Sequence, residues 1–153
     1  MQEPPDYPNC LNQFLKRKIW RSTLGEAHAA VEAGLPSANP PFDLTSFFIK
    51  PATDVKAFSG GIEPKDQMLG YYLADWNEDR LPADLPVWCA ELVSFKLEYR
   101  VYIVRGEIRA ICRYIAPPGM PSEAAYDPTV DTELNVSEVN EAVRILYESG
   151  ECP

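Results

Sequence analysis

Apolar positions near the start of the chain recur at helical spacing. Leu11, Leu15 and Ile19, with Phe14 and Lys18 alongside, predict a helix from Asn9, a good N-cap, to Arg21. Lys16, Arg17, Lys18 and Arg21 would make its other face basic, near the end where the helix dipole favours cations. That patch reads as solvated surface, or as a face for an anion or a partner. Thr23 followed by Glu26 fits a capping box for a second helix running to about Ala33, stopped by Gly34 before a proline-rich loop at 36–41.

The period then changes. Thr45–Lys50 is rich in strand formers and ends against Pro51. Lys56–Ile62 predicts a second strand interrupted by the Gly60–Gly61 pair, and 64–74 a short helix. Val87–Val93 reads as a buried strand. Residues 97–104 and 108–114 are strongly β-prone and flank Arg105-Gly106-Glu107, which predicts a β-hairpin with Arg109 and Arg113 on one face and Ala110 and Cys112 on the other. Residues 116–135 read as an exposed loop. Ser137 is placed to cap a last helix whose Val139, Val143 and Leu146, with Ala142 and Tyr147, form an apolar stripe.

Composition narrows the function. At 153 residues the chain is sized for one domain, and 15 prolines mark breaks between elements. The net charge of −9 opposes bulk attraction to nucleic acid or anionic lipid. Trp20, Trp76 and Trp88 have spacing that fits core packing rather than base stacking. No apolar run approaches the ~18 residues that cross a bilayer. The acidic, proline-rich start is unlike a signal peptide. Cys10, Cys89, Cys112 and Cys152 are scattered and read as reduced thiols of a cytoplasmic protein. The lone histidine, His28, excludes a multi-histidine metal site and reads as a helix-surface residue.

Three cations stand out. Lys50 ends a strand against proline, Lys56 precedes the glycine pair, and Arg100 lies inside an apolar strand two residues after Glu98. Burying a cation in a strand is costly unless an anion meets it. Arg offers a planar donor fork for phosphate and Lys a point charge, while glycines let backbone N–H groups approach closely. The alternative is that the lysines face solvent and Arg100 pairs with Glu98 or Glu91.

In this order, FFIKP, VKAFSGG, AELV and EYRVYIVRGEIRAICRY resemble the nucleotide-binding core of the ATP-grasp superfamily, and more narrowly its clade named for one Arg and two Lys. CLNQFLKRKIWRSTLGE at 10–26 resembles that clade's N-terminal stretch, so the likeness covers roughly residues 7–148. The resemblance implies an α+β fold with an antiparallel sheet core and flanking helices. It implies one domain over 1–153: a disordered segment at 1–8, a helical lead-in at 9–44, nucleotide-binding strands at 45–115, a loop at 116–136 and a helix at 137–149.

The resemblance also implies roles. Lys50 and Lys56 would contact the phosphates of ATP, and Gly60 and Gly61 would belong to the mobile loop over them. Backbone groups near Leu92 and Val93 would meet the adenine edge, with Glu91 alongside. Glu98 would contact the ribose or a neighbouring cation, and Arg100 the phosphate or the incoming carboxylate. Enzymes of this kind join a carboxylate to an amine through an acyl phosphate, a reaction that needs charge neutralisation rather than a covalent nucleophile.

The sequence departs from the family at its end. ATP-grasp domains hold Mg²⁺ with an Asp on one late strand and a Glu-x-Asn pair on the next, whereas this chain stops after the last helix. Glu138-Val139-Asn140 mimics the pair, but its surroundings predict a helix, where such residues point about 200° apart. The expectation is therefore a C-terminally incomplete core that binds ATP and either takes the missing strands from a partner chain or is inactive alone. Two alternatives stay open: a non-catalytic binding or protein-interaction module keeping the fold, and an unrelated α+β domain whose cations make structural pairs.

Overall fold

The computed structural model of the chain describes residues 8–37, 44–52, 57–95, 97–115 and 124–150. Contacts divide the chain into two compact units, one within Lys16–Val93 and the other within Tyr7–Leu15 together with Ser94–Pro153. Apart from Pro8, the segment at 1–8 lies outside the described residues, as do Lys56 and most of the 36–41 loop.

In the first unit the strands are β1 (Ile19–Thr23), β2 (Phe47–Pro51), β3 (Gly61–Glu63) and β4 (Pro86–Glu91). They form one sheet of order β1-β4-β2-β3 in which every pair is antiparallel. The helix expected over Asn9–Arg21 does not form. Asn9–Phe14 is a short 3-10 helix, and Ile19–Thr23 pairs along its length with β4. Ile19, Trp20 and Thr23 are β-branched or aromatic and gain a sheet partner that local periodicity does not announce. The ladder continues past the strand end: Glu91 N–H donates to the Lys18 carbonyl at 2.9 Å, and Lys18 N–H donates to Glu91 Oε2 at 3.1 Å.

The expected capping box is present. Thr23 Oγ1 accepts from Glu26 N–H at 3.2 Å and Glu26 Oε2 accepts from Thr23 N–H at 3.0 Å, starting α1 (Leu24–Glu32). The expected short helix is α2 (Met68–Leu73). Both helices cover the same sheet face, where Leu24, Ala27, Ala30 and Leu69 are buried with Phe47, Ile49, Val87 and Cys89. Burial pushes the Cys89 thiol up to about 12, so it behaves as an inert apolar group.

The second unit is built on the expected hairpin. Its strands β5 (Glu98–Val104) and β6 (Glu107–Ile115) are joined by Arg105-Gly106, both at positive φ of 53° and 77°. Register shifts between Glu98 and Tyr99 and between Tyr102 and Ile103 leave Tyr114 and Arg109 as extra residues on β6. Arg109 and Arg113 consequently have different surroundings. Arg109 is exposed beside Glu107, while Arg113 is buried against Asp131. α3 (Val136–Ser149) follows, with Val143 buried, and is capped by Asn135 Oδ1, which accepts from Glu138 N–H at 3.2 Å; the expected cap, Ser137, lies inside the helix.

Asp131 ties this unit together. Its Oδ1 accepts from Arg113 Nε and Tyr99 Oη, each at 2.9 Å, and its Oδ2 accepts from Asp127 N–H at 2.8 Å. The Asp127 N–H and then Arg113 hold its carboxyl below the ordinary aspartate range against the cost of burial. Asp131→Asn should lower the melting temperature by roughly ten degrees at neutral pH. A depressed carboxyl pKa contributes stability that is complete above the unfolded value of ~3.9 and is lost as pH falls through the folded value. The gap between wild type and variant should therefore narrow in acid. Melts at pH 7 and pH 3 check both parts, and identical curves at pH 7 would contradict them.

Candidate functional site

Strand alternation sorts the first unit's side chains between two faces. Trp20, Cys89 and Ile49 align across β1, β4 and β2 on the helix-covered face, as do Phe47 and Glu63 one step further. The residues between them point the other way. Arg21, Trp88 and Lys50 form one row, and Ile19, Ala90, Phe48 and Ile62 form the next. Lys50 thus sits on the face that neither helix of this unit covers, one strand from an indole.

The glycine pair meets this sheet directly. Gly61 opens β3 opposite Ile49, and a side chain there would collide with Met68 Sδ. A Cβ on Gly60 would fall 2.5 Å from Cζ of Phe48. At both positions an added side chain would have to displace an existing neighbour.

β4 leaves its ladders at Glu91. Leu92 and Val93 follow outside the sheet with half-exposed side chains, and the two units divide after Val93. Glu91 is engaged with Lys18 at both its backbone and its carboxylate. Residues 92 and 93 thus lie beyond the strand's pairing.

Glu98 and Arg100 lie on β5 in the second unit. Arg100 is exposed rather than buried in its strand. Its guanidinium carbon lies 4.0 Å from the centroid of the Tyr114 ring, and a hydrogen bond to Tyr102 is the largest cause of its raised pKa. Among the described residues no ion pair ties Arg100 to Glu98 or Glu91. The Tyr114 ring and Tyr102 thus flank the guanidinium. The bulge that makes Tyr114 an extra residue brings its ring to Arg100.

The buried cation of this hairpin is instead Arg113. Sequence reasoning missed its pairing because Asp131 is 18 residues away. Asp131 is one of eight acidic residues after Tyr114, and nothing local distinguishes it.

Glu138 and Asn140 lie on α3, as their helical surroundings predicted, and do not converge as a metal pair. Among the described residues no group of three or more His, Cys, Asp or Glu side chains is placed to hold a metal ion. A cavity of about 560 Å³ opens on the helix side of the first sheet, lined by His28, Glu32, Glu63, Tyr71 and Trp76 among others. Burial raises the pKa of Glu63, whose Oε1 accepts from Met68 and Leu69 N–H and so caps α2. This hollow lies across the sheet from Lys50.

The first unit is thus an antiparallel sheet with helices on one face and Lys50 on the other, within a mixed α+β fold. Over residues 14–146 the chain matches the second family of ATP-grasp domains in the clade named for one Arg and two Lys, and it belongs to that family. No curated protein and no solved structure matches it. No helix among the described residues is long and apolar enough to cross a membrane.

Gly60→Ala should displace the Phe48 ring on the Lys50 face and destabilise the fold by about 1–3 kcal/mol. Urea denaturation measures this, and an unchanged midpoint would show that the ring yields without cost.

Proposed function

We propose that the domain binds ATP along the Lys50 face of the first sheet and descends from carboxylate–amine ligases that act through an acyl phosphate. Lys50 and Lys56 neutralise the phosphates. Gly60 and Gly61 admit backbone N–H groups close to them. The backbone at Leu92 and Val93 reads the adenine edge with Glu91 alongside. By the family resemblance, Glu98 contacts the ribose or a neighbouring cation, and Arg100 meets the phosphate or the incoming carboxylate.

The observation that carries this reading is the place of Lys50: level with Trp88 on the face away from the helices, on the strand next to the one that ends in the hinge. The chemistry asks the protein to position and neutralise. The carboxylate oxygen attacks the γ-phosphorus, the bond to ADP breaks, and an amine then displaces phosphate from the acyl carbon. Arg100 is suited to the first step because its guanidinium already rests over the Tyr114 ring.

A second reading keeps nucleotide binding without catalysis. It is favoured by the position of Glu138 and Asn140 on a helix, where they do not form the family's magnesium pair.

Lys50→Ala and Arg100→Ala should each weaken ATP binding roughly ten- to a hundredfold, as expected for losing a charged phosphate contact. Calorimetric titration of variants with native circular dichroism tests this, and wild-type affinity in both would overturn the assignment. Phosphate release from ATP with carboxylate–amine pairs separates the two readings: release abolished by Lys50→Ala supports the ligase, and binding without release supports the module.

A further inference from the structure

We infer that Arg21 is a further phosphate-side cation of the nucleotide face, oriented there by the Trp88 ring. The inference rests on the reading that this face binds ATP. It arises because residues 19–23 form a strand. On a helix Arg21 would belong to a basic patch with Lys16, Arg17 and Lys18. On β1 it is in register with Trp88, which is in register with Lys50.

Geometry supports the assignment at three points. Arg21 is exposed, and its guanidinium carbon lies 6.0 Å from the Trp88 ring centroid, so both side chains occupy the same face. Two strand spacings put the Arg21 and Lys50 backbones about 10 Å apart, a gap that two long cationic side chains can span around one phosphate chain. Along β4, Trp88 precedes Leu92 by four residues, about 13 Å of strand. That is comparable to the extent of an adenosine triphosphate from base to γ-phosphate. A base at 92–93 would therefore bring its terminal phosphates to the Arg21–Trp88–Lys50 row.

The residue types suit this division. Lys50 supplies a point charge, whereas Arg21 supplies a planar fork that can take two phosphate oxygens at once. At 6.0 Å the indole lies at the outer reach of a cation–π contact and biases where the guanidinium sits. Trp88 is thus a positioning residue.

The experiment compares ATP, ADP and AMP affinities by calorimetry for the wild type, Lys50→Ala, Arg21→Ala, Trp88→Leu and Trp88→Phe. Arg21→Ala should weaken ATP at least tenfold and leave AMP within about twofold. Trp88→Leu should lower the ATP-to-AMP preference, and Trp88→Phe, which keeps a ring beneath the guanidinium, should retain it. If Arg21→Ala does not fold, Arg21→Gln keeps much of the stem over Trp88 and removes the charge. Loss of affinity for all three nucleotides alike would mean that Arg21 serves only the fold and would overturn the inference. A wild-type chain that binds no ATP would overturn the nucleotide reading and this one with it. An unchanged ATP-to-AMP ratio in the Arg21 variants, with ATP affinity lost in Lys50→Ala, would remove Arg21 alone.

Discussion

The two-residue period of β4 is the constraint from which the first unit follows. Val87 and Cys89 are fully buried under α1 and α2, so Trp88 must point to the opposite face. Register carries that division to both neighbours, placing Arg21 on one side of the indole and Lys50 on the other. A slip of one residue would send Lys50 into the core and Ile49 out of it, at a cost no compensating contact could offset. The apolar core therefore fixes which cations lie on the opposite face of the sheet.

The second unit solves a different problem with the same alternation. Arg113 and Tyr99 pair across the hairpin and both bond to Asp131. Arg100 and Cys112 form the next pair, and Arg100 is exposed with Tyr102 and Tyr114 beside it. One face of the hairpin is locked by a buried ion pair, whose satisfied donors and acceptors make it specific, and on the other no described carboxylate pairs with Arg100. Removing the anchor would loosen the strand that holds Arg100.

Much of this was legible in the sequence. The hairpin showed itself by β-prone runs around a glycine turn, and α1 by Thr23 and Glu26, because these signals are local. The first helix was misread because Leu11, Leu15 and Ile19 happen to recur at helical spacing, while pairing with β4 some seventy residues away decides the conformation. The same distance hid Arg21 from the candidate site. The rule that a strand cation needs an anion was sound but was attached to Arg100. It applies to Arg113, and the irregularities that leave Arg109 and Tyr114 as extra residues on β6 were signalled by no pattern. Lys50 stood out by its place at a strand end against proline, but the roles expected of it and of Leu92 and Val93 came only from the family resemblance, since a lysine before proline has many ordinary explanations.

The central claim is that nucleotide occupies the face of the first sheet that carries Lys50 and Trp88. Amide and indole chemical shifts of the isotope-labelled chain, followed as ATP is added, test it most directly. Binding there moves the Trp88 indole and the amides of Lys50, Leu92 and Val93 together, with all of them saturating at one affinity. Shifts confined to His28, Tyr71 and Trp76 around the cavity on the helix side, with Trp88 and the hinge unmoved, would contradict it.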